Sequence, residues 1–282
     1  MSADPTHTPA PVFAAAPVTR AAPTASLPRR RPVRPWVLMY HSVAEHTEDP
    51  YNVTVSPGRL DRQLRWLRRR GLRGVGVGEL LRERAAGRAD RLVGLTFDDG
   101  YADFIEEAVP LLRRHGCAAT VFVLPGRLGG GNEWDPLGPR KPLLTEAGIR
   151  AAVGAGMEIG SHGLLHLDLT RTDDETLRRE TEGSRLALEE ITGRPARGFC
   201  YPYGTVDHRV VRAVRAAGYE YACAIDPGPL TGVHALPRVH VGEEDTALRL
   251  YAKRLLHPLR RRALPSGPAA PAAGTPLAGA GR

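Results

Sequence analysis

The sequence predicts a closed βα barrel, and three observations carry the prediction. Short apolar runs alternate with amphipathic segments from Trp36 to Leu259. The alternation recurs through the whole stretch with no internal linker and no repeat. Polar residues able to do chemistry gather just after the apolar runs, at what would be one end of a barrel. Strands alternating with helices of about 10–15 residues are joined by right-handed crossovers and run parallel. Seven or so such units in one domain favour a closed barrel over an open doubly wound sheet.

The expected strands are Val37–Tyr40, Leu92–Phe97, Ala119–Leu124, Met157–Gly160, Gly198–Tyr201, Glu220–Ile225 and Ala235–Val239. Pro57–Arg70 reads as a helix capped by Ser56 and stopped at Gly71. Asp103–His115 ends at Gly116, and Thr145–Val153 opens on Thr145 as its cap. Asp173–Ile191 is the longest and most charged helical pattern, Asp207–Ala217 ends at Gly218, and Asp245–Leu256 precedes Pro258.

The 282 residues carry a net charge of +8, and its location matters more than its size. Residues 1–35 hold five arginines against one aspartate, and residues 260–282 hold four arginines and no acid. Between Trp36 and Leu259, thirty bases therefore face thirty acids. The domain is formally neutral, which argues against a nucleic-acid footprint on it, while the basic ends suit contact with anionic surfaces. Both ends are rich in proline and alanine and read as disordered tails around a domain at 36–259. Cys117, Cys200 and Cys223 are an odd, widely spaced set with apolar neighbours. They read as buried thiols, not as a disulfide framework. No apolar run reaches the ~18 residues of a transmembrane helix. Pro11 and Pro17 interrupt the Ala10–Val18 stretch, and no basic region precedes it, so a cytoplasmic protein is expected.

Asp98 and Asp99 leave the strand Leu92–Phe97 and are followed by Gly100. Adjacent strand residues point to opposite sides, so one carboxylate can hold a cation while the other handles protons. Alone, Asp-Asp-Gly is as readily a turn. His162 and His166 follow another strand at a spacing that shares one face of a helical turn, where both nitrogens reach one metal. Two imidazoles and a carboxylate supply the three protein ligands of a catalytic zinc, with a position left for water. Pro202 and Gly204 bracket Tyr203, whose backbone N–H can meet a developing oxyanion or whose ring can wall a pocket. Arg238 and His240 face the same way on the last strand. A cation there would lower and orient a neighbouring acid, and an imidazole would protonate a leaving amine. His41 ends the first strand at the same rim as a pocket-lining candidate.

Thr96-Phe97-Asp98-Asp99-Gly100, then Ser161-His162 to His166, then Tyr201-Pro202-Tyr203-Gly204, taken in that order, resemble the polysaccharide deacetylase family, carbohydrate esterase family 4, with its NodB homology domain. The opening Met39-Tyr40-His41 is similar to the poly-N-acetylglucosamine deacetylase branch. The resemblance implies a distorted (β/α)7 barrel, Asp98 as general base, and Asp99, His162 and His166 as ligands of a divalent metal, usually zinc. It implies the Tyr203 backbone as oxyanion donor and an N-acetylated carbohydrate or glycoconjugate as substrate. Many members carry an arginine where this chain has Cys200, and Arg238 is the candidate to replace it. His240 is the candidate general acid, although the last motif departs from the family form. Rival readings are a deformylase, amidase or O-acetyl esterase using the same site, a non-catalytic glycan-binding relative, and an Fe(II) oxygenase.

Overall fold

A computed structural model describes residue 1 and residues 35–257. The expected tails at 1–35 and 260–282 thus lie outside the described residues, apart from Met1 and Pro35. In chain order the strands are β1 (Val37–Tyr40), β2 (Ser42–Val43), β3 (Thr54–Val55), β4 (Arg73–Val75), β5 (Leu92–Phe97), β6 (Thr120–Val123), β7 (Glu158–Ser161), β8 (Gly198–Cys200), β9 (Tyr221–Ala224), β10 (Leu236–Pro237) and β11 (Val239–His240). The helices are α1 (Pro57–Arg69), α2 (Val77–Ala85), α3 (Val109–Arg114), α4 (Glu146–Gly154), α5 (Asp174–Arg178), α6 (Ser184–Thr192), α7 (His208–Ala216) and α8 (Ala247–Leu256).

Neighbouring strands run β1, β5, β6, β7, β8, β9 and β10, every pairing parallel. The last stave is one extended segment in two halves. Leu236 pairs with Cys223 of β9, whereas Val239 pairs with Leu38 of β1. The sheet is thereby a nearly closed α/β barrel whose seam is interrupted at Arg238. This agrees with the expected fold class and corrects the expected single strand Ala235–Val239. β4 pairs with the first half of β5, and β2 with β3 form a separate parallel pair at the rim.

Alternation along the strands decides which residues fill the barrel. Leu38, Tyr40, Leu95 and Phe97 join Leu60, Leu64 and Leu67 of α1 and Leu112 of α3 in the main cluster outside the sheet. Val37, Phe122, Cys200, Tyr221, Cys223 and Leu236 come from five strands and meet Val77 and Leu80 of α2. The three cysteines are buried and free, as expected. A side chain at Gly198 would strike the Tyr221 ring, its Cβ lying 2.3 Å from the ring. That strand position is small because its neighbour's ring occupies the space.

The expected caps hold where a side chain meets an orphan N–H. Ser56 accepts from Arg59 and Thr145 from Gly148, whereas Asp207, expected inside its helix, instead caps it by accepting from Val210. Other boundaries moved for identifiable reasons. The last helix starts after Thr246, which accepts from Arg249, because Asp245 turns to the Gly242 N–H and Lys253. The expected helix Asp173–Ile191 is interrupted by a π turn at Arg179–Gly183. There Thr181 and Ser184 donate to the Leu177 and Glu180 carbonyls, competing with the backbone ladder. A second π turn at Phe104–Ala108 precedes α3, whose Pro110 supplies no N–H.

Candidate active site

The rim after the strands gathers every candidate singled out in the sequence. Asp99 has left β5 and adopts φ 68°, which swings its carboxylate away from that of Asp98. Its Oδ1 lies 3.3 Å from His162 Nε2 and 3.4 Å from His166 Nε2. All three side chains are buried, and their ligand atoms lie within 4.8 Å of one another. The two histidines do not share a helical turn. His162 begins a loop in which Gly163 (φ 82°) and His166 (φ 64°) are left-handed, and this irregular path returns His166 to the carboxylate.

Second contacts fix the donors. His162 Nδ1–H donates to the Cys200 carbonyl at 2.8 Å, so Nε2 is the nitrogen turned toward Asp99. The His166 ring stacks on Trp134 (4.4 Å) and meets the Tyr203 ring edge-on (4.6 Å). Glu180, from the π turn between α5 and α6, accepts from the Leu164 and Leu165 N–H groups at 2.8 and 3.1 Å. Gly163 is needed beside it, since a Cβ there would lie 2.7 Å from Glu180 Oε2.

Asp98 has a different environment. Arg238 donates from Nη1 to Oδ1 at 2.6 Å and from Nη2 to Oδ2 at 2.7 Å, a bidentate pair shielded from water. The guanidinium also donates to Thr96 Oγ1 and the Ala224 carbonyl, and its Nη2 lies 3.0 Å from Cys200 Sγ. Burial pushes the Cys200 thiol up to about 11, so it stays neutral and compact beside that cation. Burial pushes Asp98 up as well, but Arg238 outweighs it and holds the carboxyl below the ordinary range.

Asp99 is lowered further: burial opposes ionisation, and the two imidazoles more than offset it. His166 is lowered, chiefly by burial, whereas His162 is raised against its burial by Cys200 and Asp99. A divalent cation fits this arrangement. Three convergent donors of the types zinc takes surround a buried negative charge, and one imidazole is already held in the required tautomer. A second grouping, Asp98 with His162 and Cys200, fits less well. Both oxygens of Asp98 are already bonded to Arg238 and the thiol is protonated.

His41 Nε2 lies 3.9 Å from Asp98 Oδ2, and its ring is 6.3 Å from that of His240. His240 is turned the other way, with Nε2–H donating to the Asn52 carbonyl at 2.8 Å. Burial and then His41 hold it below the usual histidine range. Tyr203 sits at φ 58° between Pro202 and Gly204, with its side chain exposed at the mouth. Trp134, Glu180 and Asn52 were not singled out in the sequence. Trp134 lies in a Gly/Pro-rich loop without a motif, and only its being a lone tryptophan there hints at a role.

A sequence profile described as polysaccharide deacetylase matches residues 85–222. YxkH of Bacillus subtilis, itself only provisionally called a polysaccharide deacetylase, is 26% identical over 216 residues, 75% of this chain and 72% of that one. A poly-β-1,6-N-acetyl-D-glucosamine N-deacetylase of Staphylococcus aureus is 21% identical over 206 residues, covering 68% and 69%. The solved structure of the Streptococcus pyogenes deacetylase PplD in complex with acetate aligns with a TM-score of 0.67 at 23% identity. That alignment covers 79% of this chain and 98% of PplD, and supports the fold. Across residues 85–222 the chain is thus a polysaccharide deacetylase family hydrolase. His41, Arg238 and His240 lie outside the matched segment.

Proposed function

We propose that this hydrolase removes acetyl groups from the amino nitrogen of an N-acetylated sugar, most simply an N-acetylglucosamine polymer or conjugate. The observation that carries the reading is the division of labour between two adjacent carboxylates, one clamped by a guanidinium and one by two imidazoles. The Staphylococcus aureus relative, by its name an N-deacetylase of such a polymer, supports the sugar class.

Asp99, His162 and His166 would hold the divalent cation, with zinc the choice that suits the donor set. When bound, such an ion polarises a carbonyl and lowers the pKa of water toward 7. Asp98, kept ionised by Arg238, takes the proton of the water that adds to the acetamide carbon. The Tyr203 N–H faces the developing oxyanion. The C–N bond then breaks, the amine leaves with a proton, and acetate is released. His41 is placed against Asp98 to deliver that proton. His240, whose Nε2–H is committed to Asn52, is the second candidate. Trp134 and Tyr203 flank His166 and offer ring faces to a sugar.

The test is acetate release from β-1,4- and β-1,6-linked N-acetylglucosamine oligomers, before and after dialysis against a chelator. Activity should vanish on dialysis and return with Zn²⁺. Asp98→Asn should lower kcat by about 10²-fold or more with metal still bound, while His162→Ala should lose the metal. His41→Ala should depress kcat more than His240→Ala does. Formate release, ester cleavage without amide cleavage, or glycan binding without turnover would each replace this reading with another.

A further inference from the structure

The last helix of the domain carries its apolar residues on the outside. α8 buries Leu250 fully, yet Leu248 is 76% exposed, Leu255 57%, Leu256 50% and Tyr251 38%. Leu248, Tyr251 and Leu255 stand at i, i+3 and i+7 and so form one stripe toward solvent, the inverse of an ordinary surface helix. α1 lies against α8 and shows the solvent a row of arginines, Arg62, Arg68, Arg69 and Arg70 among them. The Arg70 guanidinium joins the two helices, 5.4 Å from the Trp66 ring and 4.8 Å from the Tyr251 ring. Arg249 stands exposed on the other flank of the stripe, 3.9 Å from the equally exposed Glu244 carboxylate.

Residues 57–70 hold six arginines and one aspartate, and residues 247–256 hold three bases and no acid. Nine bases thus face one acid within these two helices, while Glu243, Glu244 and Asp245, just before α8, pair with Arg59, Arg249 and Lys253. The region from Trp36 to Leu259 is neutral as a whole, so its remainder is as negative as this pair is positive. With those acids counted the α8–α1 face keeps a net charge of +5, and the apolar stripe runs along it.

We propose that the α8–α1 face docks on an anionic phospholipid surface, with the leucines entering the boundary between headgroups and acyl chains and the arginines meeting the phosphates. A second copy in twofold contact would set the same arginines against each other. A soluble polyanion would use the arginines and leave four large apolar side chains in water. A lipid surface satisfies both features. Among the described residues no helix is long and apolar enough to cross a membrane, so the contact is interfacial.

Sedimentation of the full chain with vesicles tests this, comparing phosphatidylglycerol/phosphatidylcholine mixtures with phosphatidylcholine alone. Binding should favour the mixed vesicles and weaken with added salt. Leu248→Asp with Leu255→Asp should reduce partitioning roughly tenfold or more. Arg69→Glu with Arg249→Glu should reduce binding to mixed vesicles and leave phosphatidylcholine unaffected. All four positions are exposed, so far-UV circular dichroism and the melting temperature should match wild type. Three results would overturn the proposal: equal binding to both vesicle types, wild-type partitioning by the double leucine variant, or a dimer that this variant dissolves.

Discussion

Asp98 and Asp99 are one peptide apart and sit in opposite electrostatic surroundings. The left-handed turn at Asp99 (φ 68°) makes this possible, a conformation that costs a non-glycine residue of order 1–3 kcal/mol and persists because the surroundings impose it. Arg238 sets the character of Asp98. The sign of its effect is fixed by what opposes it: burial raises the carboxyl, and the guanidinium brings it back down. Arg238→Ala removes the largest opposition to burial and leaves only the weaker pull of His41 and His162, so the acidic limb of kcat/KM should move to higher pH. It should also cost about 3–5 kcal/mol of stability, because a buried charge loses its partner. Arg238→Lys keeps a charge but not the paired geometry and should lie between. A pH–rate profile with calorimetry checks this, and an unmoved acidic limb in Arg238→Ala would remove Arg238 from its positioning role.

The element that matters most is the loop from His162 to His166. It is not a helical turn, so its own backbone bonds do not hold it. Glu180 holds its two N–H groups, from a π turn that places an acid inward in the middle of a long surface helix, while Gly126 N–H and Arg127 Nε–H donate to the Leu164 and Leu165 carbonyls. Glu180→Ala should therefore weaken metal affinity by about 10–100-fold, read by competition with a chromophoric chelator. Glu180→Gln retains an oxygen for both N–H groups and should bind nearly as wild type. Equal affinity in the alanine variant would mean that the loop is held elsewhere. The staves were legible in the sequence because alternation and β-branched residues mark them. The histidine spacing was legible as a metal pair, but its path was not, since nothing in Gly-Leu-Leu announces that His166 adopts φ 64°. β4 and α2 were invisible because Gly74, Gly76 and Gly78 interrupt any apolar period.

At the scale of the whole molecule, barrel logic placed the separated motifs on one rim, and long-range pairing then did what local reading cannot. Arg238 and Asp98 are 140 residues apart, and only their inward-facing strand positions suggested that they meet. A second long-range set escaped notice entirely. Lys141 donates to Ser42 (2.6 Å) and Thr54 (2.9 Å), and Ser42 donates to Asp103 (2.5 Å), which also accepts from the Val43 N–H. This network ties the loop that bears Trp134 to the β2–β3 pair and to the turn before α3. Burial pushes Asp103 up to about 6, although Ser42, Val43 and Lys141 pull it down. An unfolded aspartate titrates near 3.9. Between about pH 4 and 6 the folded chain thus binds more protons at this site than the unfolded one. The stability this group contributes is complete below that window and falls as pH rises through it. Asp103→Asn cannot titrate yet keeps an oxygen for the Val43 N–H. Relative to that variant, wild type should therefore lose on the order of 2 kcal/mol from pH 4 to pH 7. Denaturant titrations at intervals across that range measure the difference directly. Parallel stability curves would mean that Asp103 is as well solvated in the folded chain as in the unfolded one. The rim network would then be held by Lys141 and the two hydroxyls without a buried carboxyl at its centre.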